Sequence, residues 1–211
     1  MAQLEGRVAV VTGAGDGIGA AIARRYVAEG ARVVIAELDE TRGRAVAAEL
    51  DDRAVFVATD AGDKDQMEAA VAAAVTAFGG LDILVNNAWG GGRISRVEQK
   101  TPELLAHGLA VGFTGPLWAM IAAHGVMKPR GYGRIVNLCS LNGVNAPMGT
   151  LEYNTAMEAL RTATRTAARE WADTGIVVNA LCPAAKSASF RAVMAEHPEL
   201  EAAADASNPM C

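Results

Sequence analysis

Short runs of β-branched residues alternate along the chain with longer alanine-rich stretches in which apolar residues recur at helical spacing. The runs predict strands at 8–11, 32–36, 54–57, 83–85, 134–138 and 176–181. The stretches between them predict helices at 17–29, 40–50, 63–78, 101–128 and 152–173. This alternation is typical of repeated βα units. We therefore predict an α/β fold with a single doubly wound parallel sheet, about six strands and helices on both faces.

The pattern changes after Leu181. One helical stretch follows at about 189–204, and a C-terminal strand is not predicted. Because 211 residues suit one domain, we assign 1–185 to the sheet and its site residues. Residues 186–211 are then a divergent helical tail on the substrate side of the same domain.

Charge and targeting signals exclude several classes of partner. The 19 basic and 24 acidic residues give a formal charge of −5, which offers no basic surface for nucleic acid or an anionic membrane. A signal peptide is not recognisable, and no uninterrupted apolar run reaches the roughly 18 residues of a membrane span. We expect a cytoplasmic protein. The cysteines and histidines lack metal-ligand spacing, so no metal site is predicted; they are Cys139, Cys182, Cys211, His107, His124 and His197.

A glycine-rich loop follows the first predicted strand and leads into the first predicted helix. Glycines allow tight turns and close backbone approach, and the free N–H groups of a helix start favour a pyrophosphate. We predict a dinucleotide site formed by Gly13, Gly15, Asp16, Gly17, Ile18 and Gly19.

An acidic residue ends the second predicted strand, eighteen residues after the last glycine of the loop. Glu37 could accept hydrogen bonds from both ribose hydroxyls and would repel a 2′-phosphate, so NAD is favoured over NADP. Asp39 could share this role, and Arg42 is near enough to oppose the preference.

Further short motifs follow the later strands in order. They are Asp60-Ala61, Asn86-Asn87-Ala88, Ser140 and, thirteen residues beyond that serine, Tyr153. With the glycine loop, they make the chain resemble the short-chain dehydrogenase/reductase family of Rossmann-fold oxidoreductases, as far as about Pro183. The resemblance implies the strand order 3-2-1-4-5-6. It implies adenine contacts for Asp60 and Ala61, and further cofactor contacts for Leu38, Asn86, Asn87, Ala88, Tyr153 and Pro183.

The resemblance also implies a catalytic pair. Ser140 would orient the substrate oxygen, while Tyr153 would transfer the proton as hydride moves to or from nicotinamide. The chemistry agrees, because two hydroxyls can donate to the negative charge that develops on a carbonyl oxygen. Alternatively, the serine could be a turn former and the tyrosine a packing residue.

Two polar residues of the family pattern are replaced. The lysine expected four residues after Tyr153 is Met157, which cannot stabilise a phenolate whose unperturbed pKa is about 10. The helix asparagine of the pattern corresponds to Gly112, which could leave room for water but offers no side chain.

Two further departures lie near the expected reactive end. Trp89 replaces the glycine of an Asn-Asn-Ala-Gly motif and could line a substrate pocket or pack beneath the next loop. Pro183-Ala184 replaces Pro-Gly, and Lys186 beyond it could supply the missing cation. The pocket residues expected to favour a largely apolar substrate are Trp89, Ser140, Leu141, Val144, Pro147, Met148, Tyr153 and Phe190.

These features favour an NAD-dependent oxidoreductase that interconverts a secondary alcohol and a ketone, slowed by Met157. The alternatives are a cofactor-binding protein without redox turnover and a lyase- or cyclase-like enzyme. The resemblance implies a homodimer or homotetramer formed through the helices near 101–128 and 152–173.

Overall fold

The computed structural model describes residues 2–185, 191 and 194–196, and within them six parallel strands form one sheet. The strand order β3-β2-β1-β4-β5-β6 confirms the predicted doubly wound topology. The strands are β1 (Val8–Thr12), β2 (Arg32–Glu37), β3 (Ala54–Ala58), β4 (Ile83–Asn86), β5 (Gly133–Leu138) and β6 (Ile176–Leu181).

Helices connect the strands and cover both faces of the sheet. They are α1 (Gly17–Ala28), α2 (Glu40–Glu49), α3 (Lys64–Phe78), α4 (Pro102–Leu109), α5 (Gly115–Met127), α6 (Leu141–Asn145) and α7 (Leu151–Glu170). The short helix α6 was not predicted.

The helix predicted at 101–128 is interrupted by a π-helical segment, Ala110–Thr114, between α4 and α5. At the end of this segment, the Gly115 N–H bonds the Ala110 carbonyl, five residues back. A β-carbon at Gly115 would lie 1.7 Å from the Ala61 carbonyl oxygen, so this position requires glycine. The widened turn places Gly112 opposite α7, where it contributes to the candidate site.

The core has two apolar layers, one on each face of the sheet. Alternate strand residues divide between them, since neighbouring side chains of a strand point to opposite faces. Val10, Leu84 and Ile135 belong to the layer beneath α3, α5 and α7, whereas Val11 and Ile35 belong to the other. Both layers are nearly inaccessible to water, and backbone pairing of the parallel strands sets their register.

Two buried asparagines connect the central strands inside the larger layer. The Asn86 amide donates to Asn137 at 2.9 Å and to the Pro116 carbonyl at 3.3 Å. The Asn137 amide donates to the Thr164 hydroxyl at 2.8 Å. Asn86 is therefore engaged in the protein interior, where it joins β4 to β5 and α5.

One stretch is long and apolar enough to cross a membrane by length and composition alone, namely Pro102–Arg130. Within this fold it packs against α3 and α7 and buries Met120 and Met127 completely. Core packing therefore accounts for part of its apolar character, since 39% of its most apolar window is buried.

Candidate active site

The glycine loop has a shape that larger residues cannot adopt. Gly13 and Gly17 have φ angles of 62° and 55°, in the left-handed region. A β-carbon at Gly19 would lie 2.2 Å from the Gly13 carbonyl oxygen. Asp16 caps α1 by accepting a hydrogen bond from the Gly17 N–H at 2.6 Å. The glycine loop and the start of α1 are therefore adjacent, and binding of a pyrophosphate there remains a prediction.

A set of hydrogen bonds joins this loop to the end of β4. The Thr12 hydroxyl accepts from the N–H groups of Asn87 and Ala88, at 3.0 and 3.1 Å. The Asn87 amide donates to the carbonyls of Thr12 and Gly13, at 2.9 and 3.1 Å. The loops after β1 and β4 are thus fixed against each other.

The Glu37 carboxylate borders the glycine loop. It accepts from the N–H groups of Gly15, Leu38 and Asp39, at 2.9, 2.9 and 3.0 Å. These bonds hold the carboxylate at the mouth of the crevice. The Arg42 guanidinium lies 3.2 Å from Asp39 and 3.6 Å from Asp16, so its charge is balanced within the loop region.

Other predicted cofactor residues lie along the same sheet edge. Asp60 accepts the Gly62 N–H at 2.8 Å in a turn after β3, and Ala61 is buried beside it. Pro183 is exposed two residues after β6. Lys186 and Phe190 lie outside the described residues.

Ser140 and Tyr153 are brought together at the carboxyl end of β5. Ser140 caps α6 by accepting the Asn142 N–H at 3.1 Å, and Tyr153 belongs to the first turn of α7. The Ser140 hydroxyl lies near enough to Tyr153 to lower the pKa of the phenol. The structure therefore brings together the two residues for which a catalytic role is predicted.

The environment of Tyr153 keeps its phenol neutral. Burial raises the pKa of Tyr153, whereas the nearby Ser140 hydroxyl lowers it less strongly. The nearby thiols of Cys139 and Cys182 also raise this pKa. In the described part of the chain, we find no lysine or arginine that offsets the effect of burial.

Trp89, Gly112 and Met157 lie in contact beside Tyr153. The rings of Trp89 and Tyr153 are 4.7 Å apart between centroids, edge to face at 60°. A β-carbon at Gly112 would be 2.8 Å from Cζ3 of Trp89 and 3.2 Å from Cε of Met157. Three of the departures noted in the sequence thus share one small volume.

Other residues expected in the substrate pocket lie apart from this group. Leu141 and Val144 are exposed on α6. Pro147 and Met148 line a groove of about 1070 Å³ between α5 and α7, which includes no residue of the glycine loop. Of the expected apolar pocket residues that the structure describes, Trp89 is the one placed against Tyr153.

A buried ion pair next to Tyr153 in the chain was not predicted. The Lys100 ammonium lies 2.6 Å from the Glu152 carboxylate, with 6% and 1% of the two side chains exposed. The same ammonium donates to the carbonyls of Arg93 and Gly149, while Glu152 accepts the Arg93 N–H at 2.7 Å. The pair therefore ties the loop after β4 and the turn before α7 to the start of α7.

Burial opposes ionisation of Glu152, but the hydrogen bonds from Lys100 and Arg93 outweigh it and lower the pKa of Glu152. Since Lys100 is neutralised by this carboxylate, it does not replace the missing lysine at position 157.

These features define a Rossmann-type dinucleotide-binding protein with a serine–tyrosine pair at the reactive end of the crevice. The family model described as short chain dehydrogenase matches residues 7–198. The chain belongs to the short-chain dehydrogenase family of NAD(P)-binding oxidoreductases.

Named relatives agree with this assignment. The chain is 40% identical over 181 residues to a 3-alpha-(or 20-beta)-hydroxysteroid dehydrogenase of Mycobacterium tuberculosis, covering 86% of this chain and 69% of that one. It is 38% identical over 184 residues to momilactone A synthase of Oryza sativa subsp. japonica, covering 86% and 67%.

A solved relative has the same fold. The 3-ketoacyl-(acyl-carrier-protein) reductase of Brucella melitensis, complexed with NADH, superposes with a TM-score of 0.85. It is 34% identical, and the match covers 88% of this chain and 78% of that one.

The buried ion pair gives a stability prediction. Lys100→Met should destabilise the protein by about 3–5 kcal/mol in urea unfolding at neutral pH, because Glu152 would keep a buried, unpaired charge. Lys100→Met/Glu152→Leu should recover much of the loss, and Lys128→Met, in an exposed turn, serves as the control.

The pH dependence has a definite sign. A lowered pKa means that ionised Glu152 stabilises the fold above its unfolded pKa, and that this contribution is lost as pH falls through the folded pKa. The defect of Lys100→Met should therefore shrink in acid. Equal losses in the free energy of unfolding for Lys100→Met and Lys128→Met would contradict this account.

Proposed function

We propose that this protein is an NAD-dependent oxidoreductase that interconverts a secondary alcohol and a ketone on a largely apolar substrate, with slow proton transfer. The observation that carries the proposal is that Ser140 and Tyr153 lie together at the sheet edge that also carries the glycine loop. Ligands of open α/β sheets bind at this edge.

The cofactor site is proposed to run along the carboxyl ends of the strands. The backbone from Gly13 to Gly19 would hold the pyrophosphate, Glu37 the adenine-side ribose, and Asp60 with Ala61 the adenine. The bound nicotinamide ring supplies or accepts the hydride. Preference for NAD is supported by the Glu37 carboxylate, which repels a 2′-phosphate, and by the acidic partners that balance Arg42.

Proton transfer depends on residues of the chain itself. Ser140 would hold the substrate oxygen, and the Tyr153 hydroxyl would give it a proton in reduction or accept one in oxidation. Arg161 and Arg165, farther along α7, lie beside Glu158 and do not substitute for a lysine at position 157. The neutral phenol favours donation, so reduction should be the easier direction.

The substrate class is supported by the relatives and by Trp89. The names of the relatives describe a hydroxysteroid dehydrogenase and a ketoacyl reductase, both consistent with alcohol and carbonyl chemistry. The indole beside Tyr153 favours an apolar substrate. We expect a cytoplasmic location, in keeping with a helix 102–130 that packs within the domain.

A second candidate is a cofactor-binding protein without redox turnover. The contact between Met157 and Gly112 favours it, because two polar positions of a proton relay are replaced there by apolar packing.

Titration with both nucleotides tests the cofactor assignment. NADH should bind more tightly than NADPH, measured through nucleotide fluorescence. Gly19→Ala should abolish binding, because its β-carbon would collide with the Gly13 carbonyl, whereas a β-carbon at Gly125 meets nothing within 4 Å and Gly125→Ala is the control. Tighter binding of NADPH would contradict the preference for NAD.

Turnover over a panel of hydrophobic secondary alcohols and their ketones tests the reaction. Alcohol oxidation should accelerate as pH rises toward the raised pKa of Tyr153, because only the ionised phenol accepts a proton. Ketone reduction should fall over the same range. Tyr153→Phe should lose both activities and Tyr132→Phe neither; turnover that survives Tyr153→Phe would contradict the assignment.

The proposed homodimer forms through α5 and α7, whose shared groove is mostly apolar. Light scattering should give a dimer for the unaltered protein and a monomer for Ile121→Asp, whose side chain is 46% exposed in the groove. Val75→Asp, at a 40% exposed position on α3, should remain dimeric. A monomeric unaltered protein would contradict this proposal.

A further inference from the structure

We propose that Trp89 is a positioning and specificity-determining residue that closes the reactive end of the crevice around Tyr153, and that Gly112 and Met157 are the residues that accommodate its indole. The inference rests on the proposed function for its substrate consequences. Its structural part depends only on the contacts among Trp89, Gly112, Tyr153 and Met157.

The indole is held by its surroundings. Trp89 comes three residues after the end of β4, directly after the Asn87 and Ala88 groups that bond Thr12. Its ring meets Tyr153 edge to face, and β-carbons at Gly112 and Gly92 would lie 2.8 and 3.3 Å from its six-membered ring. The indole therefore reaches from the end of β4 to α7.

Gly112 cannot carry a side chain while the indole is in place. A β-carbon there would also be 2.8 Å from that of Ala156, which belongs to the rigid helix α7. An asparagine at 112 would therefore require both the indole and the helix to shift. Trp89 and Ala156 together explain the absence of a side chain at position 112.

Met157 completes the same contact. Its terminal methyl would lie 3.2 Å from a β-carbon at Gly112, and the side chain is 4% exposed. A flexible thioether fills such irregular space well. A lysine placed here would bury an ammonium beside the indole, and the nearby Glu152 carboxylate already binds Lys100. Restoring the lysine alone should therefore not restore fast proton transfer.

The contact also shields Tyr153 from water. The groups that act on its hydroxyl are Ser140 from the end of β5 and the thiols of Cys139 and Cys182 from the ends of β5 and β6. The indole covers the ring from the side of β4. Removal of the indole should admit water to the phenol, and it should also make space for bulkier substrates beside it.

Ultraviolet titration of the tyrosines tests the shielding without cofactor or turnover. The titration of Tyr153 is isolated by subtracting the curve of the same variant that also carries Tyr153→Phe. In Trp89→Ala the midpoint should fall toward the usual value of about 10. Trp118→Ala, on α5, should leave it unchanged. An unchanged midpoint in Trp89→Ala would overturn the proposal, and Trp89→Phe provides an intermediate if the alanine variant folds poorly.

Melting temperatures test the coupling. Gly112→Asn should lower the melting temperature strongly in the unaltered protein and less in Trp89→Gly, because one of its two collisions is removed. Equal losses of melting temperature in the unaltered protein and in Trp89→Gly would contradict the claim that the indole and a side chain at position 112 compete for one volume.

Kinetics separate this inference from the proposed function. Met157→Lys alone should raise alcohol oxidation little, whereas Trp89→Gly/Gly112→Asn/Met157→Lys should raise it by tenfold or more and accept bulkier alcohols. Full rescue by Met157→Lys alone would overturn the inference and leave the proposed function intact. If every variant bound NADH without turnover, the proposed function would fail, while the titration and melting results would still decide the role of Trp89.

Discussion

The contact between Thr12 and Asn87 is the constraint on which the site depends. One buried hydroxyl accepts two backbone N–H groups from the end of β4, and one amide returns two hydrogen bonds to the end of β1. These bonds set the shape of the glycine loop, because a β-carbon at Gly19 would lie 2.6 Å from the same amide. They also set where the next loop begins, and that loop carries Trp89. One set of hydrogen bonds thus positions both the glycine loop and the loop at the reactive end of the crevice.

The two ends of the crevice differ in what they require. Nucleotide binding needs a backbone of the right shape and a carboxylate at the right strand end, and both are present. Proton transfer needs a charge or a relay near the phenol, and apolar packing occupies that region instead. Cofactor binding is therefore expected to be retained while the chemical step is slow.

The fold and much of the site were predictable because they are encoded locally. Apolar periodicity located the strands, and the spacing of glycines and polar residues after each strand located the loop, Glu37, Ser140 and Tyr153. The π-helical segment was missed because its sequence keeps helical periodicity, and the close approach of Gly115 to Ala61 at its end joins residues far apart in the sequence. The pair of Lys100 and Glu152 was missed because nothing local distinguishes a buried charge from a surface one. Trp89, Gly112 and Met157 were each noted separately, but their contact depends on how α7 packs against the π-helical segment.

Isotope effects on oxidation of a secondary alcohol test most directly the central claim, that proton transfer at Tyr153 is the weakened step. The rate should be compared in H₂O and D₂O, and with deuterium at the carbinol carbon. The account predicts a normal solvent effect that is larger than the substrate effect, because the proton step limits the rate. A large effect of the carbinol deuterium with no solvent effect would contradict it.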